Sequence, residues 1–255
     1  MAFNLFKSKA KHKAEQWDYK TMFGPKMSFA VMESYKLLRT NIAFSFPEDG
    51  ICRVIGVTSA VQSEGKSTTS CNTAYALAEA GARVLLIDAD LRKPSVAQKL
   101  QLARAPGLSN LLVSRWNYQE LVQHCSLAPN LDIITSGDIP PNPSELLSSD
   151  RMGKIIEELS KAYDYIVLDL PPVTIVSDAI AVSKWIHGVV LVVRKGISNR
   201  QMLEETMRQL KLVNIRVLGF VFRDSGKTGR SYSRKYRYKY YSDYGRKTKR
   251  TALPK

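Results

Sequence analysis

From about residue 52 onward, apolar runs of strand length alternate with stretches of helical spacing. RVIGVTS (53–59) is β-branched and predicts a strand that ends in a loop. Lys66 to Ala80 is rich in small residues and predicts a helix, with Gly81 just past its end. RVLLIDAD (83–90), LDIITSG (131–137) and YDYIVLDLPP (163–172) read as further strands, the last stopped by paired prolines. Between the last two, Leu146, Leu147, Ile155, Ile156 and Leu159 predict one helical face over Ser144 to Ala162. GVVLVVRKG (188–196) and VLGFVFR (217–223) are continuous apolar runs, as strands buried on both faces should be. Ser198 is placed to cap a helix running to about Val213. Ahead of all this, Met32 to Phe46 predicts a leading helix outside the sheet. Strands alternating with helices predict an α/β fold, a single domain with a doubly wound, mainly parallel central sheet flanked by helices.

Charge divides the chain in a way that hydrophobicity does not. The formal net charge is +15, but residues 223–255 carry +10 and residues 1–20 carry +3, leaving the body near neutral. This gives a basic N-terminal extension (1–27), a domain (28–223) and a flexible basic tail (224–255). A folded nucleic-acid surface would more often spread its Lys and Arg through the body, so nucleic acid is not the expected partner. A hydrophobic fraction of 44% excludes wholesale disorder. No apolar run approaches the roughly 20 residues a membrane-crossing helix needs. The three cysteines, Cys52, Cys71 and Cys125, stand far apart, and with no signal-peptide pattern a reducing cytoplasmic compartment is expected. His12, His124 and His187 are isolated from any metal-ligand spacing and read as structural.

The first strand is followed by Ala60-Val61-Gln62-Ser63-Glu64-Gly65-Lys66-Ser67-Thr68, a relaxed form of G-x-x-x-x-G-K-[ST]. The spacing serves phosphate. Backbone N–H groups of Ser63, Glu64, Gly65, Lys66, Ser67 and Thr68, with the helix start behind them, make a nest for a β-phosphate. Lys66 is expected to face solvent and reach the β/γ oxygens, and the Ser67 hydroxyl can ligand Mg²⁺. Strand 83–87 runs into Asp88-Ala89-Asp90-Leu91-Arg92, and strand 165–168 into Asp169. Ligands of open α/β sheets bind at the carboxyl ends of strands, so the three acids should converge on the loop. ATP with Mg²⁺ is the implied ligand. The motifs alone leave open whether the phosphoryl acceptor is water or a side chain.

Six of the twelve tyrosines, Tyr232, Tyr236, Tyr238, Tyr240, Tyr241 and Tyr244, crowd into a basic stretch thirteen residues long with no helical or strand period. Such a segment could stack on single-stranded nucleic acid or rest on anionic lipid. Glu33, Lys36 and Arg39 share one helix face by their three-residue spacing.

Here the chain resembles the bacterial tyrosine kinases of capsule and exopolysaccharide synthesis, in the form made as a separate cytoplasmic subunit. The matching stretches are ESYKLLRTNIAFS (33–45), TSAVQSEGKSTTSCNTAYALAEAGARVLLIDADLRKP (58–94), GDIPPNPSELLSS (137–149), YDYIVLDLPPVTIVSDA (163–179) and the tyrosine-rich end. The resemblance implies a P-loop kinase domain with Lys66, Ser67, Asp88, Asp90 and Asp169 on ATP and Mg²⁺. It gives the catalytic roles to Asp90 or Asp88 with Lys66, and the metal to Ser67, Asp169 and one of the Asp88/Asp90 pair. It further implies autophosphorylation of the tail tyrosines between subunits, a homo-oligomeric ring contacted through Glu33, Lys36 and Arg39, and control of sugar-processing enzymes. A transmembrane polysaccharide chain-length adaptor with a cytosolic activating tail would recruit the chain to the inner face of the membrane. Where the family often has Pro-Gly, Gln62-Ser63 stands here. Two other readings remain: a partitioning-type ATPase of the same fold, which usually has lysine where Val61 stands, and a non-catalytic module whose tail grips nucleic acid. An iron–sulfur ATPase of that superfamily is excluded by the missing cysteine pair.

Overall fold

The computed structural model describes residues 27–46, 50–114, 116–125 and 128–224. Seven strands form one sheet in the order β3-β4-β2-β5-β1-β6-β7. They are β1 (Arg53–Ser59), β2 (Val84–Asp88), β3 (Gln123–His124), β4 (Leu131–Ile134), β5 (Tyr165–Asp169), β6 (Gly188–Arg194) and β7 (Val217–Arg223). All neighbours are parallel except β3, a two-residue antiparallel edge on β4. The expected doubly wound sheet is present. β3 was not expected, because two residues carry no periodicity.

β1, β2 and β5 are buried along almost their whole length, which is why they read as unbroken apolar runs. α2 (Lys66–Glu79) covers one sheet face, where Cys71, Ala74 and Leu77 meet Ile55, Val57 and Val167. Its small side chains let it lie close to the sheet. Gly81, at φ +96°, ends it as expected. α1 (Phe29–Phe44) packs on α2 through Tyr35 and Ala76, and its Ile42 joins the core cluster shared by α2 and the sheet. It starts three residues before the expected leading helix.

The other face is covered by α6 (Asp150–Ser160), whose Met152, Ile155, Ile156 and Leu159 are buried at i, i+3, i+4 and i+7, and by α8 (Arg200–Leu212). The single helix expected over Ser144 to Ala162 is two. α5 (Pro143–Ser148) stops at Ser149, whose ψ of 150° is extended rather than helical. The Ser149 hydroxyl donates to the Leu146 carbonyl and accepts from Met152 N–H, ending one helix and capping the next. α8 is capped by Asn199, whose side chain accepts from Met202 N–H, and not by Ser198. Short helices α3 (Val96–Leu100), α4 (Leu108–Val113) and α7 (Asp178–Ala181) are the remaining α-helices among the described residues. No helix among them is long and apolar enough to cross a membrane. His187 is structural as expected, its Nδ1 accepting from Val54 N–H at 2.9 Å.

Candidate active site

The loop between β1 and α2 stands at the carboxyl ends of the central strands. Two left-handed residues shape it: Ser63 at φ +64° and Gly65 at φ +95°. The alternation turns successive backbone N–H groups towards one side, the geometry of an anion nest. Glu64, read from sequence only as backbone of that nest, has its own job. Its buried carboxylate accepts from Val61 N–H at 2.8 Å and from the Ser198 hydroxyl, pinning the loop to the segment before α8. α2 begins at once behind the loop, with Thr69 N–H bonded to the Gly65 carbonyl. Ser67 and Thr68 are buried in its first turn.

The strand ends bring the acids in as expected. Asp88 and Asp169 are register partners across the β2–β5 pair. Asp90 lies two residues beyond β2, and all three carboxylates are buried. Lys66 is not the solvent-facing charge expected: its ammonium lies 2.6 Å from Asp90 Oδ2, with the two side chains 12% and 5% exposed. Burial pulls the Lys66 pKa down, but Asp169, Asp90 and Asp88 outweigh it and hold the pKa above the ordinary lysine value.

The three acids are used differently. Asp88 Oδ2 accepts from the backbone N–H groups of Ser95 and Val96 at 3.1 and 3.0 Å. Burial and the adjacent Asp169 push its carboxyl up to about 7, against the Val96 N–H. Asp90 Oδ1 accepts from Lys93 N–H at 3.0 Å. Asp169 Oδ1 accepts from the Ser70 hydroxyl at 3.0 Å, while Oδ2 is buried with no hydrogen-bond partner. Its pKa is raised by burial, opposed by Lys66 and by the Ser67 hydroxyl.

A buried carboxylate oxygen without a donor calls for a cation. Hydroxyl and carboxylate oxygens are the ligands a hard divalent ion takes, usually with waters and phosphate oxygens completing its shell. Ser67, Asp88 and Asp169 fit Mg²⁺ in that sense. Among the described residues, no group of three or more His, Cys, Asp or Glu forms a protein-only metal cage.

Other residues here escaped the sequence reading. Arg92 makes a two-pronged ion pair with the fully buried Asp178, at 2.8 and 3.0 Å, and Ser144 donates to the same carboxylate. This ties the segment after β2 to α5 and α7. Lys93 Nζ donates to Gln62 Oε1 at 3.3 Å across the loop. Arg194 and Arg223 reach the loop's carbonyls from β6 and β7. Their position as the last residues of apolar strands was the available signal, since strand ends face the site.

Glu33, Lys36 and Arg39 lie away from this cluster, on α1. Glu33 and Lys36 pair with each other at 3.0 Å. Arg39 turns to α2, donating to the Ala76 carbonyl at 2.9 Å. The six tail tyrosines lie outside the described residues.

The sequence profile of the AAA domain family matches residues 52–213. The tyrosine-protein kinase YwqD of Bacillus subtilis is 38% identical over 209 residues, 82% of this chain and 85% of that protein. The tyrosine-protein kinase ptk of Acinetobacter johnsonii is 32% identical over 79% of this chain but only 27% of its own length. Among solved structures, the kinase domain of the Escherichia coli tyrosine kinase ETK superposes with a TM-score of 0.73 at 30% identity, covering 79% of this chain and 80% of that one.

Proposed function

The chain belongs to the bacterial tyrosine-protein kinases, and from that premise we propose that it transfers the γ-phosphoryl group of ATP to tyrosines of its own C-terminal cluster, in trans, within capsule or exopolysaccharide synthesis. One observation carries the residue assignment. Three buried carboxylates, Asp88, Asp90 and Asp169, gather around the Lys66 ammonium, which is 12% exposed, and Asp169 Oδ2 has no hydrogen-bond partner. Such a cluster is short of positive charge, as a site that receives a metal–nucleotide complex should be.

The chain's own residues then act as follows. Nest N–H groups from Ser63 to Thr68 hold the β-phosphate. Lys66 exchanges Asp90 for the γ-phosphate oxygens, lowering the charge that resists attack. Asp90, freed by that exchange, orients the tyrosine hydroxyl and accepts its proton. The tyrosine oxygen bonds to the γ-phosphorus, the bond to the β–γ bridging oxygen breaks, and ADP leaves. Ser67 with Asp88 and Asp169 would hold magnesium, which would supply charge neutralisation at the phosphates. Arg92 and Asp178 keep the segment carrying Asp90 in place.

The relative that is much longer than this chain supports a partner outside it. We assign that role to a transmembrane chain-length adaptor whose cytosolic tail recruits and activates the kinase at the membrane's inner face. Glu33, Lys36 and Arg39 are proposed to contact a neighbouring subunit of a ring, and sugar-processing enzymes are proposed as further substrates.

The test is incubation of the purified chain with Mg-ATP, with and without candidate adaptor tails, reading phosphotyrosine by mass spectrometry. Phosphate should appear between Tyr232 and Tyr244. An Asp90→Asn chain that keeps its tail should acquire it only when mixed with active chain lacking residues 230–255. Absence of phosphotyrosine under every condition would sink the autokinase reading. Its absence in the mixture alone would place transfer in cis.

A further inference from the structure

The carboxyl ends of β6 and β7 meet beside the phosphate loop, and each ends in arginine. Arg194 and Arg223 are register partners across that strand pair. Arg194 Nη1 donates to the Ser63 carbonyl at 2.8 Å. Arg223 Nη1 reaches the Glu64 carbonyl at 3.4 Å, a longer and mainly electrostatic contact. A β-carbon on Gly65 would collide with the Arg223 guanidinium. Glycine at 65 therefore serves its left-handed backbone and also leaves room for this arginine.

The consequence depends on which peptide group each carbonyl belongs to. The Ser63 carbonyl shares its planar, conjugated group with the Glu64 N–H, and the Glu64 carbonyl shares its group with the Gly65 N–H. A guanidinium on the oxygen draws density away from the nitrogen and strengthens the N–H as a donor. Those two N–H groups are among the ones the nest presents to a β-phosphate. We propose that Arg194 and Arg223 form a brace of positioning residues that raises the loop's affinity for the nucleotide β-phosphate by polarising these two peptide groups from behind.

The inference deepens the nucleotide-binding reading and rests on it. It also gives the start of the tail a fixed place. Lys195 N–H donates to the Arg223 carbonyl at 2.9 Å, and Lys195 Nζ lies 3.6 Å from Asp224. The chain therefore leaves the sheet from a residue that is itself in contact with the loop.

The experiment measures Mg²⁺-dependent affinity for ADP and for AMP, by competition against a fluorescent ADP, in wild type, Arg194→Gln, Arg223→Gln and the two lysine variants. ADP carries the β-phosphate that the nest holds; AMP lacks it. Losing a charged hydrogen bond of normal length should lower ADP affinity about tenfold in Arg194→Gln. The longer contact of Arg223→Gln should lower it about threefold, with AMP affinity changing less than twofold in either. Lysine keeps the charge and loses the fork, so Arg194→Lys should recover part of the ADP-to-AMP ratio. Parallel loss of ADP and AMP, or an unchanged ratio in a folded Arg194→Gln chain, overturns the brace. Should the glutamine variants not fold, an unchanged ratio in both lysine variants overturns it instead. Wild type that does not prefer ADP to AMP would instead refute the nucleotide reading beneath it.

Discussion

Lys66→Met tests how far the site's charges depend on one another. A phosphate-loop lysine facing solvent could be removed with the fold intact. Here it is 12% exposed and its 2.6 Å partner Asp90 is 5% exposed, with Asp88 and Asp169 also buried nearby. Removing one member of a buried pair typically costs 3–5 kcal/mol, because the other charge stays buried alone. Partial access of water puts the expectation at the lower end, about 3 kcal/mol, or roughly 6–12 °C in melting temperature for a domain of this size. The pH dependence has a definite sign. Asp88 and Asp169 already have pKa values raised by burial, and Lys66 is the strongest charge opposing that rise at Asp169. A carboxyl whose folded pKa is raised contributes stability below its unfolded pKa, near 4, and loses it as pH rises through the folded value. Loss of Lys66 raises those values further, so the deficit should be small at pH 5 and largest at pH 8. Thermal melts followed by circular dichroism at both pH values measure it, and adding Asp90→Asn should restore most of the loss at pH 8. Equal melting temperatures at pH 8, or a deficit larger at pH 5, would refute the reasoning.

Two further outcomes are expected. Ser63 holds φ +64°, which disfavours a residue with a β-carbon by roughly 1 kcal/mol, so Ser63→Gly should raise the melting temperature by about 2–4 °C; a fall would mean the serine side chain has a stabilising partner in the folded chain. Exchanging the pair as Glu33→Lys with Lys36→Glu keeps the contact within α1 but reverses the charge shown to a neighbour. Light scattering should then show a shift towards monomer, and an unchanged mass would make this face merely solvated. Arg39 is the wrong residue for that test, since its bond to the Ala76 carbonyl makes its loss a matter of α1–α2 packing.

What the sequence made legible follows from which signals are local. β1, β2, β5 and β6 announce themselves because a strand buried on both faces needs an unbroken apolar run. The loop and the three acids were found because phosphate chemistry fixes their spacing and the sheet fixes their end. The break at Ser149 was missed because apolar spacing continues across it, and only hydroxyl bonding to the backbone ends the helix there. Ser198 was misread as a cap because its contact with Glu64 joins positions 134 residues apart. The same limit hid Asp178 behind Arg92, and hid both braces of the loop. Long-range polar pairs have no period, so a window of sequence can mark where such a residue stands, as at the arginines that end β6 and β7, but not what it meets.

The cations around the loop fall into two kinds, and the difference bears on what nucleotide binding must do. Lys66 is paired with a full negative charge, Asp90, at 2.6 Å. Arg194, Arg223 and Lys93 donate to neutral oxygens, two backbone carbonyls and the Gln62 amide. Polyphosphate can strengthen the loop's hold through the second kind without breaking the Lys66–Asp90 pair. To engage Lys66 it must separate a buried pair, which leaves Asp90 without its cation in a cluster already crowded with carboxylates. That separation is favourable only when something else answers Asp90. A tyrosine hydroxyl donating to it would do so directly, and Asp88 and Asp169 would hold a divalent ion that lowers the surrounding negative potential. In the proposed mechanism the lysine's move is therefore tied to the presence of metal and acceptor. On that proposal nucleotide alone would be held by the nest, while the arrangement that transfers phosphate would be assembled only when both are in place.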